Sequence, residues 1–177
     1  MDDPQLLNIL QLADVLSPWT PGRYRNTLEA TRHGRRTWTP DLSWCAERRI
    51  DFLPVVFPGF SWHNLKRGAA RLDQIPRQQG QFLWSQIVAA RQSGATMLYI
   101  AMFDEVDEAT AIFKCTSQPP TADGVQLLNG EGLPSDHYLR IAGYAGRLLR
   151  DEISLSAALQ QTAPPTSPSN SNRDAGR

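Results

Sequence analysis

The chain is short of thiols, histidines and net charge: it has two cysteines, three histidines, and eighteen basic side chains against eighteen acidic ones. Cys45 and Cys115 lie far apart and fit no metal-ligand spacing, so they read as free thiols rather than a disulfide or a zinc pair. Neither is a good nucleophile candidate. Balanced charge removes the electrostatic footprint of a nucleic-acid or anionic-membrane binder. No apolar run has the length of a membrane span, and Met1-Asp2-Asp3-Pro4 lacks a basic stretch followed by an apolar one. As written, the chain reads as soluble and cytoplasmic. Also missing are a glycine-rich phosphate loop, a nucleophile elbow, a basic–aromatic stripe for RNA and an internal repeat. No cofactor or metal is expected. What remains is 177 residues with 41% hydrophobic and 8% aromatic side chains, enough for one globular core and open to a small neutral ligand.

The most informative stretch is residues 95–114, ATMLYIAMFDEVDEATAIFK. Met97 to Phe103 reads as a strand covered on both faces of a parallel sheet, because the apolar run is unbroken and bounded by Gly94 and acids. Asp104, Glu105, Asp107 and Glu108 follow at once. Four acids within five positions repel one another, which costs stability unless cations, hydrogen bonds or raised pKa values offset it. Parallel α/β folds carry their chemistry at such strand ends.

Around this stretch, residues 4–12 read as an apolar helix end in need of a partner, and 13–17 as a strand stopped by Pro18 and Pro21. Residues 23–37 look irregular. Thr39-Pro40-Asp41 predicts a helix start, with Thr39 as N-cap, running to about Arg49. Ile50 to Phe57 is the second strand, in which Pro54 argues for an edge position or a local irregularity. Helices are expected over 80–93, ended by Gly94, and from Ser135 or Asp136 to about Arg150. Residues 115–133 read as a long loop and the segment from 156 to 177 as a disordered Pro/Ser-rich tail. Strands about 40 residues apart with helices between them make a βα pattern. A closed eight-stranded barrel needs about 250 residues, so 1–155 reads as about three βα units of an incomplete barrel with exposed, self-associating sheet edges.

Glu105 and Glu108 are the sharpest site candidates, since glycoside hydrolysis commonly uses one carboxyl to donate a proton and another as base or nucleophile. A solvated acidic loop or a helix cap explains them equally well, and a divalent-cation site is a third reading without an EF-hand pattern behind it. Phe60, Trp62, His63 and Asn64 sit beyond the second strand, where aromatics could carry a sugar ring and the polar groups could orient hydroxyls. Plain packing accounts for such a loop as well. Trp19 and Tyr24 follow the first strand with the same ambiguity.

Three segments resemble glycoside hydrolases of families 71 and 99: Asp14–Trp19, Phe52–Leu65 and Met102–Phe113. The likeness covers most of residues 1–155 and is to the C-terminal portion of that (β/α)8 TIM-type barrel. It implies a carbohydrate substrate and no cofactor. In the family 99 endo-α-mannosidases a Glu-x-x-Glu pair acts through the sugar 2-hydroxyl. By that analogy Glu105 is the base drawing the 2-hydroxyl proton and Glu108 the acid protonating the leaving oxygen. The family motif is closer to Asn-Glu-Trp-His-Glu-Gly-Thr, whereas this chain has Asp104, Val106, Asp107 and Ala109 at the other positions. Bacterial relatives labelled xylosidase or arabinosidase look nearer. As an isolated chain it is expected to have little activity, and a complete parent could be secreted or periplasmic. An inactive remnant or a carbohydrate-binding half-barrel is the alternative.

Overall fold

The computed structural model describes residues 3–120 and 122–160, with the side chains of 159 and 160 left aside. Asp3 caps helix α1 (Pro4–Leu10), its carboxylate accepting from the amide of Gln5 at 2.9 Å. Helix α1 fully buries none of its side chains: Leu7 and Leu10 are half-buried, and Leu6 and Ile9 are exposed.

Strand β1 (Val15–Leu16) pairs in parallel with β2 (Asp51–Phe52), and β3 (Val55–Val56) with β4 (Tyr99–Ile100). The 50–57 run therefore lies between two neighbours rather than at an edge. Its first half bonds β1, with the Leu53 amide donating to Leu16 O at 2.9 Å, and its second half bonds β4, with the Ala101 amide donating to Val56 O at 2.9 Å. Pro54 marks the changeover. It has no N–H to give to either ladder, and its carbonyl accepts from the Tyr99 amide at 3.0 Å. The result is a small, open, parallel arrangement in a mixed α/β chain, not a closed barrel.

The predicted helix start at Thr39 is corrected. The helix begins twelve residues earlier as α2 (Thr27–His33), continues through a π-turn (Gly34–Trp38), and becomes α3 (Thr39–Glu47). Asn26 is the cap, accepting from the Glu29 amide at 2.9 Å. Thr39 has helical dihedrals, and its amide donates five residues back to Gly34 O. This wider turn opens the ladder just where Pro40 would collide with the carbonyl of Arg36.

Helix α4 (Gln81–Gln92) is the centre of the core, burying Phe82, Leu83, Trp84, Ile87 and Ala90 between the strands and the other helices. It comes so close to Gly34 that a Cβ there would lie 3.2 Å from that of Ala89. Gly94 ends the segment at φ +102°, as its place after the helix predicts. Helix α5 (His137–Leu149) contributes Ile141, Ala145 and Leu148. Asp136 precedes it without a side-chain cap bond and instead pairs with Arg140 at 2.9 Å. A short α6 (Leu155–Gln160) buries Ala158 and packs on α4, so these first residues of the expected tail are ordered. Residues 161–177 lie outside the described residues.

The Met97–Phe103 run is also corrected. The strand itself is only Tyr99–Ile100; in the run only Ala101 is fully buried, while Tyr99 and Phe103 are 39% and 59% exposed, so the run is not covered on both faces among the described residues. No helix among the described residues is long and apolar enough to cross a membrane.

Candidate functional site

The acids lie on a loop that the chain closes on itself directly after β4. The Met102 amide donates to Thr110 O at 3.1 Å, and the Ile112 amide to Phe103 O at 3.0 Å. The Glu105 carbonyl accepts three times, from the amides of Thr110 and Ala111 at 3.1 Å each and from the Thr110 hydroxyl at 3.2 Å. Ala109, next to Glu108, adopts φ +61°, a left-handed conformation that a residue with a Cβ keeps only when its surroundings impose it. The backbone carrying both glutamates is thus held by the loop itself, while their side chains stay half-buried.

The Phe60–Asn64 loop is brought against this one. The Ser61 amide donates to Glu108 O at 2.8 Å. Asn64 donates through Nδ2 to Asp107 O and Gln126 O, both at 2.8 Å, and accepts from the Gln126 amide at 3.0 Å. Asn64 is therefore a clip joining three segments, with its amide already occupied. His63 Nδ1 lies 2.7 Å from Ala70 O, which can only accept, so the proton sits on Nδ1 and a neutral ring leaves Nε2 as acceptor. Gly59 lets the loop run flush against its neighbour: a Cβ there would be 2.8 Å from Ile75 O.

The aromatics divide. Trp19 is 52% exposed beside Tyr99, with ring centres 6.4 Å apart, an exposed pair from the two chain segments that flank the 50–57 run. Trp62 is half-buried over Phe60 at 4.4 Å, and Phe60 itself is 8% exposed and bridged to Ile75. Tyr24 does not belong to the site. It is 2% exposed in the core, its hydroxyl donating to Gln86 at 3.0 Å. Sequence reasoning missed Tyr99, which was assigned to a covered strand. It also missed Arg77, whose Nη2 donates to Ala111 O at 2.7 Å and braces the acid loop from 34 residues away.

Burial pushes the Glu108 carboxyl above its ordinary range, and the negative charges of Glu105 and Asp107 push it the same way. The native state therefore holds this proton more tightly than the unfolded chain. Its stabilising effect is complete below the ordinary carboxylate pKa and is lost as pH rises through the raised value. Glu108→Gln is expected to gain about 0.5 kcal/mol at pH 7 after solvent screening, and nothing below about pH 4. Urea midpoints at the two pH values check this, and an equal gain at both would show that charge is not the cause. Asp104 and Asp107 are exposed. Among the described residues no group of three or more His, Cys, Asp or Glu is placed to hold a metal ion.

No protein-family model and no curated protein matches the chain. Solved structures do. The GH99 endo-α-mannosidase of Bacteroides thetaiotaomicron is similar over 70% of this chain with a TM-score of 0.58 and 24% identity. The same enzyme in complex with Bis-Tris propane matches over 69% with a TM-score of 0.57 and 24% identity. Both names are mannosidases, and the xylosidase and arabinosidase labels have no counterpart in them. This chain spans 35% and 36% of the length of those two structures, respectively. The likeness is one of fold: the chain is similar in arrangement to about a third of the GH99 endo-α-mannosidase structure.

Proposed function

We propose that this protein is a glycoside hydrolase-like portion of a (β/α)8 barrel, the C-terminal three or so βα units, acting on O-glycosidic bonds through Glu105 and Glu108. The observation that carries this is the placement of the two glutamates beyond the C-terminal end of a parallel strand, with Glu108 inclined to keep its proton. A raised carboxyl is suited to the acid role, so Glu108 protonates the departing oxygen. Glu105 takes the proton of the sugar 2-hydroxyl. Trp19, Trp62, His63, Asp104 and Asp107 are the side chains left to face a sugar, with Phe60 and Asn64 behind them. α-Mannosides are the first substrates to test, following the name of the similar enzyme. Release of aryl alcohol from aryl α-mannosides by the purified protein tests the reading, and an absence of turnover that Glu105→Gln and Glu108→Gln leave unchanged would remove it.

A second reading is favoured by the open edges. The outer sides of β1 and β4 are unpaired among the described residues, and Val15, Trp19, Tyr99 and Phe103 are exposed beside them. Such edges and apolar side chains favour association. In this reading the chain binds carbohydrate or completes its sheet only with a partner or a second copy. Light scattering is expected to give a mass above that of the 19.8 kDa chain. A compact monomer with one cooperative unfolding transition would sink it.

A further inference from the structure

An open cleft of about 470 Å³ is lined by Arg25, Trp62, Lys66, Arg71 and Gln74. Its size lies in the range of small-molecule sites, roughly 300–1,000 Å³. Three cations converge on it from separate segments of a chain whose net charge is zero, and no carboxylate lines it. Among the described residues, Arg25, Lys66 and Arg71 form no ion pair; the pairs are made by Arg48, Arg91, Arg140, Arg147 and Arg150. Glu29 and Asp73 are the acids nearest to them in sequence. Glu29 Oε2 accepts from the Arg25 amide at 2.8 Å, and Asp73 Oδ1 is buried without a partner. Counting both acids still leaves positive charge in excess, and an anion in the cleft offsets the repulsion among the three cations.

The aromatic wall is fixed in place. Trp62 lies over Phe60 with ring centres 4.4 Å apart, and Gly22, at φ +85°, runs so close that a Cβ there would be 2.9 Å from Trp62 Cζ2. Lys66 follows one turn later, its amide donating to Trp62 O at 2.9 Å, and Arg71 is steadied by Nη2 on Asp73 O at 2.8 Å. The residue before Trp62 touches the acid loop: the Ser61 amide donates to Glu108 O at 2.8 Å. An indole beside clustered cationic donors suits a sugar bearing an acid group, whose ring packs on the tryptophan while its carboxylate takes charge-assisted hydrogen bonds. A nucleobase suits it less, because stacking needs a free aromatic face and Phe60 already packs against the single aromatic ring here. We propose that this cleft is a subsite for an acidic sugar, a hexuronate whose carboxylate is held by Arg25, Lys66 and Arg71 and whose ring rests against Trp62. It rests on the glycosidase reading for the ligand being a sugar, and it adds the charge that this sugar carries.

The experiment compares methyl α-D-mannopyranosiduronate with methyl α-D-mannopyranoside, which differ only in a carboxylate for a hydroxymethyl group, by saturation-transfer NMR on the whole protein. The uronate is expected to bind at about tenfold lower concentration at low salt, the worth of one charge-assisted hydrogen bond. Arg25 and Lys66 are exposed, so the double variant Arg25→Gln/Lys66→Gln keeps the fold, and in it the two sugars should bind alike. If the double variant does not fold, Lys66→Gln alone is expected to reduce the preference. Equal affinities in the unaltered protein, no binding of either sugar, or a preference that survives in the variants overturns the proposal. So does displacement of the uronate by an equal concentration of sodium acetate, which would show a site for charge alone, or tighter binding of octathymidylate, which would show a nucleic-acid surface. Binding is read without turnover, so inactivity on aryl α-mannosides removes the glycosidase reading and does not alter this result.

Discussion

On the proposed glycosidase reading, Glu105→Gln and Glu108→Gln are each expected to lower glycoside cleavage by roughly 10²–10⁴-fold, the usual worth of a positioned acid or base. The two losses differ in character. Glu108 is assigned the proton donor, so Glu108→Gln should be rescued on dinitrophenyl glycosides, whose leaving group departs without protonation. Glu105→Gln should stay impaired on every leaving group, because the 2-hydroxyl proton still has no acceptor. The pH profile adds a second signature. Burial and the charges of Glu105 and Asp107 raise the Glu108 pKa, so its proton survives to higher pH than an ordinary carboxyl allows. Activity therefore falls on the alkaline side as pH rises through that value, and Glu108→Gln removes this limb. Near-normal rates in either variant on a poor leaving group would end the assignment. The stability gain expected for Glu108→Gln at neutral pH has the same causes, burial first and then the repulsion from Glu105 and Asp107.

Much of the architecture was legible because it rests on local chemistry. Gly94 can adopt φ +102° after α4, and the apolar spacing in α5 marks the face that buries Ile141, Ala145 and Leu148. The likeness to family 99 noticed in three segments has its counterpart in the fold. The errors have one physical pattern. At Thr39-Pro40 a start signal lies inside a longer helix, because a π-turn accommodates the proline that local rules place at a first turn. At Pro54 the chain changes neighbours, a fact about two other strands that the segment itself does not encode. Tyr24 and Trp19 look alike as aromatics after a strand, yet one is drawn inside by a hydrogen-bond partner 62 residues later and the other is left out. For the site, the position of the acids at a strand end was readable from an apolar run followed by charge. The brace from Arg77 and the clip at Asn64 were not, since each joins segments more than thirty residues apart.

Gln86→Leu is expected to destabilise the protein by about 3–5 kcal/mol, a large share of a typical domain's margin. The side chain is fully buried in α4 and works as a substitute strand for the end of β3. Its Oε1 accepts from the Phe57 amide at 3.0 Å, and its Nε2 donates to Phe57 O at 2.8 Å. The same Oε1 takes the hydroxyl of Tyr24 at 3.0 Å, and Nε2 also reaches Phe82 O at 2.9 Å. Leucine fills the space and makes none of these bonds. The amide and carbonyl of Phe57 would be left without partners, and the Tyr24 hydroxyl proton would lose its Gln86 acceptor, in a core that excludes water, at roughly 1–3 kcal/mol each. Burial holds the Tyr24 phenol far above its ordinary pKa, so ionisation offers it no escape. Phe57 leads directly into Pro58 and the loop that meets Glu108, and the damage should therefore reach the site as well as the core. Urea unfolding gives the magnitude, and amide exchange at Phe57 and Ser61 gives the path: both should lose protection together. A loss below about 1 kcal/mol would mean that the strand end is held by its apolar packing and not by this amide.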